Sequence, residues 1–275
     1  MRVSDDELSV ALSRVLGPLG AVERSPSPWA STATLENLEV TAHDGTAYQL
    51  VLKAGGRATA REAQTYQGLL CAEPLGTPRW VTGSDRGEGW LVIETIAGAP
   101  LWQSGGTDAW CAAARRLAHV HRQLSGRTDD VGPAAGSDYE TQLARAVARD
   151  PRVWQLRGAH AEAASVVRAA PLTVIHGEAF ASNVLVTSGG DVVLVDWETA
   201  GRGCGLTDLA ALTAGWAPPD QDRIAGAYSG DLTALPAARL LLAVRWLGEP
   251  APSTGAGGGR SRHTDWWSEA AGALP

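Results

Sequence analysis

Residues 176–197 read HGEAFASNVLVTSGGDVVLVDW: a polar loop with a carboxylate, two short β-branched runs around a Gly-Gly pair, then a second carboxylate. Few local folds are open to such a segment. Residues 183–187 and 192–196 are strand-like, and Gly189-Gly190 between them predicts a two-residue primed turn, because such turns need positive φ. Pairing Ser188 with Asp191 and counting outward sets Asn183 opposite Asp196. A carboxamide and a carboxylate at the open end of a hairpin can share one hard cation, and magnesium takes oxygen ligands of that kind. Glu178, five residues before Asn183, lies on the loop that enters the same place. It is the candidate for orienting and deprotonating an acceptor hydroxyl in phosphoryl transfer from a magnesium–nucleotide complex. His176 reads as a support for this loop rather than a proton carrier. The competing reading is a surface hairpin with ordinary polar ends.

A site of this kind also needs a cation for the nucleotide phosphates, carried on a strand and held by an acid on a helix. Lys53 is the only lysine in the chain. It closes the run Tyr48-Gln-Leu-Val-Leu-Lys53, which follows the strand-like 38–42 across an Asp44-Gly45 turn. Residues 58–70 have helical spacing and offer Glu62 near their start. Lys53 and Glu62 therefore form a candidate strand–helix ion pair, set against the reading of two solvated surface charges.

Together these residues resemble the aminoglycoside phosphotransferase family, within the wider protein-kinase-like fold, over about residues 35–216. His176-Gly-Glu-x-x-x-x-Asn183 is similar to the family's catalytic loop, and Val195-Asp196-Trp-Glu-Thr-Ala-Gly201 to its metal-binding strand end. Gly205-Leu-Thr-Asp208-Leu-Ala-Ala resembles the helix start whose aspartate braces the catalytic loop. Leu117-Ala-His-Val-His121 resembles the helix beneath that loop. Leu91-Val-Ile-Glu-Thr-Ile-Ala-Gly98 resembles the hinge whose backbone binds adenine, which makes Glu94 and Ile96 nucleotide contacts by resemblance. Two features depart from the family pattern. Glu178 stands where the family has aspartate, one methylene longer, and a misplacement of about 1 Å can cost on the order of a hundredfold in rate. The entry loop 25–34 contains no glycine. Ser31 and Thr32 are its candidate phosphate contacts, with an ordinary Pro-rich loop as the alternative.

The resemblance implies an α+β, two-lobed protein-kinase-like fold: a small antiparallel-sheet N-lobe and a larger, mainly helical C-lobe. Residues 1–94 are expected to bind nucleotide, and 95–275 to carry the catalytic loop and substrate site. The 275 residues suit two lobes, and a hydrophobic fraction of 44% suffices for packed cores. The net charge of −7 with no basic stripe excludes nucleic acid as a partner and fits a cationic or neutral small acceptor better. No leader and no membrane-length apolar run is visible, so no membrane partner is expected. Cys71, Cys111 and Cys204 lack metal spacing and are odd in number, which places the chain in a reducing cytoplasm. Residues 249–262, rich in Gly, Pro and Ser, read as a mobile tail. Eleven tryptophans serve core packing or stack on an acceptor, and Glu198 is left open between substrate and structure.

The sequence thus predicts a kinase passing the γ-phosphate of ATP or GTP to a hydroxyl of an aminoglycoside-like, sugar or amino-alcohol acceptor, in antibiotic resistance or biosynthesis. Lys53 and Glu62 would serve the phosphates, Glu178 the acceptor, and Asn183 with Asp196 a Mg2+ ion. A nucleotide-binding pseudokinase with a scaffold role is the alternative. A protein kinase ranks last, because Asp196 runs within a dozen residues into the Asp208 helix and leaves little room for a peptide platform.

Overall fold

The computed structural model describes residues 3–28, 33–71, 75–87, 89–103, 106–134, 136–249 and 264–274. Ser31, Thr32 and the tail from residue 250 to 263 lie outside the described residues. The chain divides into two compact units: one formed by Met1–Gly98 with Val193–Thr199, the other chiefly by Ala99–Val192 and Ala200–Pro252.

The first unit opens with α1 (Asp5–Leu16), whose start follows from its capping residues. Ser4 Oγ accepts the Glu7 N–H at 3.2 Å, and Asp5, Asp6 and Glu7 fill the first turn, where acids favour the helix dipole. Then come β1 (Leu19–Pro26), β2 (Thr34–Ala42), β3 (Ala47–Ala54), α2 (Gly56–Thr65), β4 (Trp80–Ser84) and β5 (Trp90–Glu94). They build one antiparallel sheet in the order β1-β2-β3-β5-β4. Its core face carries Leu38, Val40, Leu50, Leu52 and Val92 under Leu8 and Leu12 of α1. Strand side chains alternate, so Lys53 leaves the face that Leu50 and Leu52 occupy. In the sheet it sits between Leu35 on β2 and Leu91 on β5. The single helix expected over 58–70 begins at Gly56 instead, and from Tyr66 to Leu70 it widens into a π-helical turn.

The second unit contains most of β6 (Gly98–Pro100), then α3 (Thr107–Leu124), α4 (Tyr139–Arg149), α5 (Arg157–Ala169), β7 (Leu172–Ile175) and β8 (Val184–Thr187). After β9 (Val192–Leu194), where the chain passes into the first unit, it returns for β10 (Gly201–Cys204), α6 (Leu206–Thr213), α7 (Pro218–Gly226), α8 (Leu235–Leu247) and α9 (Trp266–Gly272). Trp110, Leu117, Val120 and Leu124 of α3 are buried, as their shared face predicts. Helix α8 packs against α4, α5, α6 and α9, and β7 pairs with β10, Ile175 opposite Gly201. No described helix is long and apolar enough to cross a membrane.

The turn between β8 and β9 corrects the sequence reading. Thr187, not Ser188, pairs with Asp191: the Thr187 N–H donates to the Asp191 carbonyl at 3.0 Å, and the Gly190 N–H to the Thr187 carbonyl at 2.9 Å. The loop therefore holds three residues, with Gly190 alone at positive φ, +84°. A three-residue loop closed by a left-handed glycine is the next favoured hairpin after the two-residue forms. Thr187 Oγ1 also accepts the Asp191 N–H at 3.1 Å, which ties down this register. The outward count that set Asn183 against Asp196 no longer holds.

Candidate active site

In the first unit, four charged side chains converge. Lys53 Nζ lies 2.7 Å from Glu62 Oε2, 2.5 Å from Asp196 Oδ1 and 2.8 Å from Glu198 Oε2. Strand β3 supplies Lys53, α2 supplies Glu62, and the segment after β9 supplies the other two. That segment is anchored on three sides. The Leu194 N–H donates to the Gly76 carbonyl at 2.8 Å, the Trp197 indole N–H to the Leu194 carbonyl at 3.1 Å, and the Trp197 backbone N–H to Glu62 Oε1 at 3.0 Å. Trp197 is fully buried, so its ring acts as the plug that fixes Asp196. The Asp196 backbone is left-handed, with φ +69°. Non-glycine residues rarely hold that conformation unless their surroundings enforce it, and such residues cluster at functional sites.

Burial opposes the charge on Lys53, but Glu62, Asp196 and Glu198 more than offset it and raise its pKa. Burial pushes Glu62 above the ordinary carboxylate range, while Lys53 pulls it back. Lys53 therefore stays a cation. Asp196 is 41% exposed and Glu198 22%, whereas Glu62 is only 2%. Oxygens of Glu62, Asp196 and Glu198 lie within 4.8 Å of one another, a hard-donor set in which Asp196 and Glu198 are partly exposed. Glu198, left open by the sequence, is a third partner of Lys53; its place two residues after Asp196 was the available signal. Glu94 and Ile96 lie at and just beyond the end of a strand of the same sheet. Glu94 ends β5 and accepts the Arg79 N–H on Oε1 at 2.9 Å, and Ile96 follows half-buried.

In the second unit, the loop of residues 176–183 is braced from below. Asp208, fully buried on α6, accepts the His176 N–H at 2.7 Å and the Gly177 N–H at 2.8 Å. His121 of α3 bridges Asp208 and Tyr228: Nε2 stands 3.0 Å from Asp208 Oδ2 and Nδ1 2.6 Å from Tyr228 Oη. Burial works to raise the Asp208 pKa, but the His121 hydrogen bond, the His121 and His176 charges and the His176 N–H together hold it below the usual aspartate range. Within the loop, the Glu178 N–H points to His176 Nδ1 at 3.4 Å. Asn183 donates through Nδ2 to the Glu178 carbonyl at 2.9 Å, and its Oδ1 accepts the Ser182 hydroxyl at 3.1 Å. The Glu178 carboxylate accepts from Arg245 Nη2 at 2.7 Å. No sequence signal flagged Arg245, which stands 67 residues away on α8.

The structure thus brings Lys53, Glu62 and Asp196 together in one unit, adds Glu198, and places Glu178 and Asn183 on one loop of the other. Glu94 and Ile96 lie apart from the Lys53 cluster in sequence, at the exit from β5.

A family model described as the phosphotransferase enzyme family matches residues 33–242. Among solved structures, the chain is similar to the macrolide 2'-phosphotransferase MphH from Brachybacterium faecium, with a TM-score of 0.61, 17% identity and coverage of 88% of this chain and 90% of that one. It is also similar to the choline kinase LicA from Streptococcus pneumoniae, with a TM-score of 0.58, 17% identity and 88% of each chain covered. A spectinomycin phosphotransferase, APH(9)-Ia, in complex with ADP and spectinomycin aligns with a TM-score of 0.57 and 13% identity over 90% of this chain and 87% of that one. At such identities the likeness is one of fold. No curated protein matches the chain.

Proposed function

Because the chain belongs to the phosphotransferase enzyme family and has its kinase-like fold, we propose that it is a small-molecule kinase that transfers the γ-phosphate of ATP or GTP to an alcohol. The observation that carries this reading is Lys53, buried and held between Glu62, Asp196 and Glu198. A lone buried lysine on a strand, paired with a helix glutamate, is the cation that a phosphoryl-transfer site uses on its phosphates. The unit of residues 1–94 is then the nucleotide-binding part, with the backbone around Glu94 and Ile96 against the adenine and Ser31 and Thr32 near the phosphates. Residues 95–275 carry the acceptor.

The oxygen donors each unit offers are of the kind magnesium takes. Asp196 offers an exposed carboxylate oxygen and Asn183 a carboxamide oxygen, with Glu198 beside Asp196. Magnesium is usually held by one or two such groups, with water and substrate phosphates completing the shell. Such an ion would supply positive charge to the phosphates during transfer. Asn183 and Asp196 would hold it. Lys53 binds and orients the phosphates, Glu62 keeps Lys53 extended, and Glu178 orients the acceptor hydroxyl and takes its proton. His176, Gly177 and Asp208 set the angle of the loop that carries Glu178. The cytoplasm is the compartment this reading assigns to the chain. A role in antibiotic resistance or in biosynthesis fits equally.

A nucleotide-binding pseudokinase is the second reading, motivated by Glu178 in place of aspartate and by its ion pair with Arg245. One assay separates the two. The protein is incubated with Mg2+ and ATP or GTP against mixed aminoglycosides, sugars and amino alcohols, with products read by mass. An acceptor gaining one phosphate supports the kinase. Neither nucleotide consumed against a broad panel supports the pseudokinase.

A further inference from the structure

Arg245 pairs with Glu178, the carboxylate assigned above to the acceptor, and its setting is built rather than incidental. Its Nη2 donates to Glu178 Oε1 at 2.7 Å and its Nη1 reaches the Gly177 carbonyl at 3.4 Å. Its Cζ lies 5.2 Å from the ring centroid of Trp246, the next residue on α8, a cation–π distance. On another side it rests against Gly136. A Cβ added there would lie 2.9 Å from the Arg245 Cζ and Nη1, and Gly136 holds φ +83°. Only glycine meets both demands readily. Gln142 of α4 fixes that glycine in turn, its Nε2 donating to the Gly136 carbonyl. The Arg245 side chain is only 16% exposed. Four separate groups thus hold one guanidinium against the carboxylate assigned to the acceptor.

This has a chemical consequence for the acceptor. A polycationic or amino-alcohol acceptor is recognised by carboxylates left free to meet its ammonium groups. Here the carboxylate assigned to the acceptor is already paired with a guanidinium at 2.7 Å. An ammonium on a carbon next to that hydroxyl would be brought within a few ångströms of the guanidinium, in a setting screened less than open solvent. It would have to displace Arg245 from a seat made by Gly136, Trp246, Gly177 and Glu178. Beside it, Phe180, Trp246 and Trp266 form a continuous aromatic cluster, which carries no charge to offset such an ammonium. An anionic acceptor gains little either, since the Arg245 charge is met by Glu178 and the whole chain carries −7.

We propose that Arg245 is a specificity-determining residue that selects a neutral alcohol, such as a sugar or polyol without an ammonium beside the hydroxyl that receives the phosphate. The proposal rests on the kinase reading above and narrows its acceptor class.

The test uses sets matched in skeleton and differing in charge: glucose, glucosamine and glucuronate; glycerol, serinol and glycerate. The full chain is saturated with Mg2+ and ATP, and phosphate transfer is followed by mass. In parallel, binding of the same compounds to the nucleotide-loaded protein is followed by tryptophan fluorescence. The neutral member should exceed the amine at least tenfold in kcat/KM and in affinity, with the difference in KM rather than kcat. Arg245→Gln should shrink that ratio several-fold, whereas Arg245→Lys, which keeps a cation, should preserve it. A merely structural Arg245 would lower both members together in either variant and leave the ratio unchanged. An amine preferred by the unaltered protein, or members indistinguishable in both readouts, overturns the proposal. Binding that favours the neutral member with no nucleotide consumed would instead leave the selectivity standing and defeat the kinase reading.

Discussion

Lys53 is the residue on which the site's electrostatics turn. Its three carboxylate partners differ in exposure, and the buried one decides what happens when it is removed. In Lys53→Met, Glu62 loses its cation while staying buried, and breaking such a pair costs about 3–5 kcal/mol. Without Lys53 the folded-state pKa of Glu62 stands further above its unfolded value, so the folded state holds a proton that the unfolded chain releases. The penalty should therefore grow as pH rises above the carboxylate range, and denaturant melts at pH 5 and pH 8 will show it as a larger loss at pH 8. Turnover should fall by about 100- to 1000-fold, the usual cost of one charge-stabilising group. Asp208 has the opposite sign. Its folded pKa lies below the unfolded value, so its contribution is present at neutral pH and is lost as pH falls below about 4. Asp208→Asn should cost about 2–3 kcal/mol at pH 7, since hydrogen bonds to a charged group are the stronger kind. That deficit should narrow on acidification. Lys53, Glu62 and Asp196 could be singled out from residue type and position alone, because a unique lysine on a strand is a conspicuous signal. Arg245 could not. Its partner is 67 residues away, and nothing in the local pattern of α8 marks Arg245 over Arg239.

At the scale of elements, helix and strand assignments followed from residue spacing, whereas registers did not. The strand-like runs 38–42 and 48–53 lie in β2 and β3, and the helical spacing over 58–70 runs through α2. The β8–β9 turn was misjudged by one residue, because Gly-Gly suits both a two-residue primed turn and a three-residue loop. The choice was made by Thr187, whose hydroxyl and backbone both engage Asp191. Only Gly190 needs the left-handed region, and a Cβ there would meet open space. Gly190→Ala should therefore destabilise by about 1–2 kcal/mol through the backbone alone, while Gly189→Ala should be milder. Thermal melts of the two variants side by side will distinguish a three-residue loop from a two-residue one, which would penalise both. The π-helical turn at Tyr66–Leu70 likewise had no signature in apolar spacing. Its buried Tyr66 stacks on Trp80 at 6.1 Å, a contact between elements separated in sequence.

At the scale of the whole molecule, the α+β fold class was legible through the family resemblance, with an antiparallel sheet early in the chain and mainly helices after it. Each unit builds its functional groups on its own core. The first holds Lys53 between a strand, a helix and the returning segment around Asp196; the second suspends the Glu178 loop on the buried Asp208. Ligand identity is written less plainly, since it depends on side chains such as Arg245 that reach the site from distant helices. On the proposed function, phosphoryl transfer runs through the group of acids anchored on Lys53. It is tested most directly by γ-phosphate transfer from ATP or GTP with Mg2+, measured by mass for the unaltered protein and for Asp196→Ala on the best acceptor of the panel. The account predicts transfer by the first and loss of turnover in the second, with the fold retained. Full activity in Asp196→Ala would contradict it.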